Sequence, residues 1–240
     1  MKQVVLVLML FGATAAARQQ RPPAQPPPPQ PPARQAAQID VTGYWVSFVT
    51  EDWRFRMLMP PKGDYARVPL TPEGRKVADG WNPAADDAAG AQCKAYGVGG
   101  IMRVPGRLHI TWQDDNTLRV EFDAGTQTRE LRFATAPPPR ERTWQGSSSA
   151  RWEPMAPSLR VTTTNFRAGY LRRNGVPYSE QAAITEYFDV APHPDGSRLL
   201  IVTTKVEDPQ FLQRPFVVSS HFKEEKDGSR WNPRPCSATW

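Results

Sequence analysis

Histidine and cysteine are scarce in this chain, and their scarcity excludes several chemistries. The three histidines, His109, His193 and His221, lie far apart, and no HxH, HExxH or paired CxxC spacing occurs. A metal site assembled from neighbouring ligands is therefore missing from the pattern, and no metal or other cofactor is implied. There is no G-x-S-x-G, and Ser147-Ser148-Ser149 lies in a stretch, Ala134–Ser149, whose Pro, Ser and Gly content reads as a loop. An excess of one charge is also missing from most of the chain. The net charge is +6, but residues 1–38 hold Lys2, Arg18, Arg21 and Arg34 and no acid. The remainder carries 26 basic residues against 24 acidic ones, a balance of +2. That balance argues for neither nucleic acid nor an anionic membrane surface as a partner.

What is present begins with a leader. Lys2 precedes an apolar run, Val4–Phe11, and Ala15-Ala16-Ala17 has the small-residue pattern found before a cleavage site. Residues 1–17 read as a secretory signal peptide. The apolar run is shorter than the ~20 residues of a spanning helix, so no integral membrane segment is expected once the leader is removed. Residues 18–38, RQQRPPAQPPPPQPPARQAAQ, offer no large apolar side chain and read as an extended, disordered spacer. Residues 39–240 suit a single domain with a sizeable core. Cys93 and Cys236 both fall in the exported part, where an even count reads as a disulfide. The expected location is periplasmic or secreted.

Ile101–Phe133 is the most legible stretch. Turn signals at Asp114-Asp115-Asn116 and Ala124-Gly125 cut it into three runs, Leu108–Trp112, Thr117–Asp123 and Thr126–Phe133. Apolar residues alternate along each run, as on half-buried strands. A three-residue loop at Asp114–Asn116 aligns the apolar faces: Trp112 opposite Leu118, Ile110 opposite Val120, Leu108 opposite Phe122. His109 then faces Glu121, and Thr111 faces Arg119.

The other elements are placed around this meander. Ile39–Val49 reads as a first strand and Trp53–Met59 as a second. Thr71-Pro72-Glu73 signals a helix to about Asp79, and Asn82-Pro83 a second one carrying Cys93. Ala150–Glu153, Leu159–Phe166, Ala182–Val190, Ser197–Val206 and Phe216–Lys223 read as strands, and Tyr170–Tyr178 as a hairpin turning at Asn174-Gly175. The fold class is mainly β: an antiparallel meander closing into a calycin-like β-barrel, or alternatively a β-sandwich, with short helices around 71–95.

Gly43-x-Trp45 at the start of a first strand is similar to the G-x-W signature of lipocalins and their calycin relatives. The resemblance implies a Trp that closes one end of a barrel and an Arg from a late strand packed on it. The blocks TGYWVSFVTEDWRFRM, PPKGDYA, IMRVPGRLHITWQDDNTLRVEFDAGTQTR, TTTNFRAGYLRRNGVPYSE, EYFDV, VEDPQF and WNPRPC resemble a group of uncharacterised secreted proteins of Gram-negative bacteria. That resemblance implies export and one compact domain, and it transfers no functional residue.

Three functions follow as expectations. The first is binding of a small, largely apolar ligand inside the barrel, lined by Trp45, Trp112, Phe122 and Tyr187. The second is cofactor-free acid–base chemistry at His109 and Glu121, with Arg119 beside them, because a carboxylate fixes the imidazole tautomer and raises its pKa. The third is a cell-envelope interaction module reaching out on its spacer. The small-molecule ligand is the expected partner of the first two. The acids Glu186, Glu207 and Asp208 read as solvated residues near strand ends rather than as a glycosidase pair.

Overall fold

The computed structural model describes residues 31–134 and 140–239; the expected leader, and the expected spacer as far as residue 30, lie outside them. Nine strands close a barrel in the order β1 (Gly43–Ser47), β2 (Arg107–Asp114), β3 (Thr117–Phe122), β5 (Gln127–Arg132), β6 (Ser147–Trp152), β7 (Leu159–Thr164), β10 (Ala183–Pro192), β11 (Arg198–Glu207) and β12 (Phe216–Glu225), with β12 returning to β1. Two short sheets accompany it. One is the hairpin of β8 (Gly169–Arg172) and β9 (Val176–Tyr178); the other joins β4 (Ala124–Gly125) to β13 (Arg234–Pro235). Three helices, α1 (Trp53–Arg56), α2 (Pro72–Asp79) and α3 (Pro83–Ala88), lie between β1 and β2.

The central hairpin has the register that its apolar faces demand. Leu108 pairs with Phe122, His109 with Glu121, Ile110 with Val120, Thr111 with Arg119 and Trp112 with Leu118. Leu108, Ile110, Leu118, Val120 and Phe122 are buried and point inward, while Trp112 is half-buried at the rim. A one-residue slip would turn every one of these side chains to water. The barrel departs from a pure antiparallel meander at one place. Leu131 pairs with Ser148 and Arg132 with Ser149 in parallel.

The lumen is filled in three layers. At one end Trp45, Ile110, Leu131, Leu159, Val161, Phe188, Leu200 and Phe222 belong to an apolar cluster, each at 1% exposure or less. At the other end Phe166, Tyr178, Ile184, Val206 and Phe216 belong to a second one. Between them each of the six barrel strands β5, β6, β7, β10, β11 and β12 contributes an inward polar residue: Arg129, Ser148, Thr163, Glu186, Thr204 and Ser220, all buried. Both ends are closed. At the first end Arg198 of β11 lies over the Trp45 ring, 5.1 Å from its centroid, and donates to the Asp40 and Thr42 carbonyls. This is the Trp–Arg contact that the Gly43-x-Trp45 resemblance implies. At the second end α2 and the β8–β9 hairpin pack on the apolar cluster. Gly74 of α2 sits so near the Phe211 carbonyl that a Cβ there would lie 2.6 Å from it.

Four expectations are corrected. Trp53–Met59 is not a strand: Phe55 and Arg56 are both buried and Trp53 and Arg54 both exposed, so adjacent residues share a face, as one turn of helix requires. The helix from Asn82 ends at Ala88. Gly90, at φ +65°, turns the chain out of it, and Cys93 sits on a separate 3-10 turn, Gln92–Tyr96. Ser147-Ser148-Ser149 is strand, not loop, because Ser148 fills an inward position of β6. Residues 31–38, expected in the spacer, lie on the barrel. Ala33 is buried, its N–H donates to Asn116, and its carbonyl accepts from Trp152 Nε1 at 2.8 Å.

Cys93 and Cys236 form the disulfide, with Cα atoms 5.1 Å apart. It ties the 3-10 turn to the segment after β13. Among the described residues no helix is long and apolar enough to cross a membrane.

Candidate functional site

The His109–Glu121 pair forms on the outer face of β2 and β3. His109 Nδ1 lies 3.2 Å from Glu121 Oε2, and Arg119 Nη2 donates to the other carboxylate oxygen at 3.2 Å. Cross-strand pairing puts all three on one face. The imidazole is stacked flat on Tyr44 of β1, with ring centroids 4.0 Å apart and planes 4° apart, and Trp231 meets both rings edge-on. The stack holds the His109 ring in place, and Glu121 fixes one of its nitrogens. Beside this face, Val46, Lys223, Glu225, Asp227 and Arg230 line an open cleft of about 440 Å³. Arg107 closes one side of the strand surface with a 2.7 Å bond from Nε to Glu225. The His109 and Glu121 side chains are partly exposed, at 25% and 32%.

The four expected ligand-lining aromatics are in three different places. Trp45 and Phe122 are buried in the first apolar cluster, and Trp45 Nε1 donates to the Val41 carbonyl. Trp112 lies at the barrel rim in a row with Phe133 and Trp152, ring centroids 5.7 and 5.4 Å apart, and faces an open cleft lined by Arg34, Gln38 and Asp40. Tyr187 faces outward from β10 under the guanidinium of Arg160.

Two groups of residues emerge only from the structure. The first is the polar layer in the lumen. Arg129 Nη2 donates to Glu186 at 2.5 Å and to Thr163 at 3.2 Å, and Ser148 is hydrogen-bonded to Thr163 at 2.8 Å. Glu186 is thus a buried ion-pair partner instead of a solvated acid. Asp208 is buried too: it accepts from the Ser179 N–H and hydroxyl and from the N–H groups of Gln210 and Phe211. The sequence signal for the layer is a polar residue in the inward phase of successive strands, as in Ile184-Thr-Glu186-Tyr-Phe188 and Val202-Thr-Thr204-Lys-Val206. The second group lies outside the barrel. Trp53, Met57, Leu58 and Met59 are exposed on α1 and the residues after it, and buried arginines lie beneath them.

Comparison with family models, with curated proteins and with solved structures returned no match.

Proposed function

We propose that this protein is a cell-envelope interaction module that works through its outer surface. The observation that carries this reading is the filled lumen. A small apolar ligand, the expected cargo of a hollow calycin-like barrel, would have to displace side chains such as Phe188, Val202 and Phe222 that are packed at 1% exposure or less. Interiors at close-packed density do not make such room without a large cost. The exposed Trp53, Met57, Leu58 and Met59 offer the apolar contact on the outside instead. An exported location agrees with the disulfide and with the leader read from residues 1–17. An apolar fluorescent reporter titrated into the folded protein tests the reading. The expected result is no saturable one-to-one uptake; saturable binding that disappears when Val120 is enlarged to Trp would place the ligand in the lumen and overturn it.

A second reading, cofactor-free acid–base chemistry, is favoured by the closed Nδ1–Oε2 contact between His109 and Glu121. It predicts that Glu121→Gln changes the nitrogen-15 tautomer signature of the His109 ring and leaves those of His193 and His221 as they are. An unchanged His109 signature removes it, and Glu121→Gln is then a nearly neutral change, within about 1 kcal/mol, of a solvent-facing pair.

A further inference from the structure

Positive charge is concentrated beneath α1. Arg54, Arg56, Arg67, Arg103 and Arg172 meet three carboxylates, Glu51, Asp52 and Asp64, and Arg173 donates to the Arg56 carbonyl. Arg56, Arg103 and Arg172 are buried, at 1%, 6% and 3% exposure. Their bonds use only part of each fork. Arg56 pairs with Glu51 and donates from Nε to the Arg103 carbonyl at 3.1 Å. Arg103 Nη2 donates to Asp52 at 2.6 Å, and Arg172 Nη1 to the Ala66 carbonyl at 2.8 Å. Among the described residues, Arg56 Nη2, Arg103 Nε and Nη1, and Arg172 Nε and Nη2 are buried with no hydrogen-bond partner. Charged donors in that condition demand an acceptor. Burial, and after it the neighbouring Arg103, pushes the Arg172 guanidinium down to about 10; burial lowers Arg56 as well.

Arg103, Arg172 and Arg173 line a crevice with Phe55, and its volume is about 10 Å³. That is room for one atom the size of a water oxygen. An oxyanion can insert one oxygen there, and the rest of the molecule must stay outside. Phe55, in its wall, belongs to α1. Phe55 and Arg56 form its inner side, with the Arg172 guanidinium 3.9 Å from the Phe55 ring centroid. Trp53 is 56% exposed, and Met57 and Leu58, which follow the helix, are 48% and 51% exposed. The Arg54 and Arg67 side chains, 65% and 78% exposed, flank them. The acids at this place are each already held by arginine, so the surplus is positive.

We infer that this surface binds an anionic phospholipid: one phosphate oxygen enters the arginine crevice, and Trp53, Met57, Leu58 and Met59 enter the lipid interface. The inference rests on the outer-surface reading above and names its partner. A soluble phosphate compound would satisfy the arginines but leave the apolar side chains in water, whereas a lipid satisfies both.

Co-sedimentation of the full chain with vesicles tests it, comparing phosphatidylcholine alone with phosphatidylcholine containing phosphatidylglycerol. Retention on the anionic vesicles is expected, weakening as salt is raised. Neutralising Arg67 in Arg67→Gln should reduce it roughly fivefold, the effect of one surface charge. Trp53→Ser should reduce it by a similar or larger factor without touching the fold, because Trp53 is mostly exposed. Arg172→Met should erase the preference for the anionic lipid while its melting curve stays cooperative; should that variant fail to fold, the Arg54→Gln and Arg67→Gln double variant decides. Equal retention on both vesicles, or indifference to the arginine changes, would each overturn the lipid assignment. If it fails while the reporter dye remains excluded from the lumen, the outer-surface reading stands with another partner. Saturable dye binding removes that reading whatever the vesicles show.

Discussion

Replacing Glu186 by Gln should cost the barrel about 3–5 kcal/mol, the penalty for leaving a buried charge without its partner. The Arg129 and Glu186 side chains are 1% and 0% exposed, and two bonds, at 2.5 and 3.2 Å, run between them. Gln keeps the shape and one acceptor but removes the negative charge, so the Arg129 guanidinium remains in the lumen uncompensated. Arg129→Met should cost a similar amount for the mirror-image reason. The Arg129→Met, Glu186→Leu double variant should recover much of the loss, because it removes both charges and fills the space with apolar atoms. Urea unfolding of the four proteins closes a double-mutant cycle. Additive single and double losses would mean that water reaches the pair and that the layer is softer than its burial implies.

Removing the Cys93–Cys236 disulfide should have the second large effect. The two cysteines are 143 residues apart, and the chain-entropy model gives about 5 kcal/mol for closing such a loop, as an upper figure. A loss of roughly 2–5 kcal/mol corresponds to a drop in melting temperature of about 10 °C for a domain of this size. The local consequence is equally specific. Among the described residues β13, itself exposed at both positions, pairs with β4 alone, so the covalent tie carries much of what holds the C-terminal segment down. The Cys93→Ala, Cys236→Ala variant should show early amide exchange at Arg234 and at the 3-10 turn. An unchanged melting curve would mean that Gln127, which reaches both sulfur atoms, and the Trp231–Tyr44 contact hold this segment without the bond.

The strand pairing of the central hairpin was legible in the sequence, down to His109 with Glu121, because strict alternation leaves one register that buries Leu108, Ile110, Val120 and Phe122 together; its turn was not, because the register shifts between Trp112 and Asp114, and Asp114 pairs with Thr117, so the loop has two residues where three were expected. The α2 start at Thr71 was legible for a local reason as well: its hydroxyl accepts from the Gly74 N–H at 3.0 Å and Pro72 occupies the first turn. The polar layer was not, because an acid such as Glu186 inside a strand has the same spelling whether its face meets water or Arg129; the distinction depends on a residue 57 positions away. The arginine cluster was hidden by averaging. A chain-wide balance near zero says nothing about charges spread over residues 54–173 that the fold gathers at one place. α1 was misread because Trp-Arg-Phe-Arg alternates as a strand does, and only the adjacent burial of Phe55 and Arg56 exposes the helical turn.

The seam of the barrel runs between its first strand and its last long one: Tyr44 pairs with Glu225, and Ser47 with Phe222. Synthesis supplies β1 near the beginning and β12 near the end, so most of the chain exists before the cylinder can shut. Until then β1 and β11 each present an open edge, and Trp45 has neither the β12 side of its wall nor its lid from Arg198 of the later hairpin. Contacts of such long sequence separation form late, and chains that depend on them fold slowly. The architecture therefore makes folding an event of the finished polypeptide: a chain cut short of β12 has the other eight barrel strands and still has no inside.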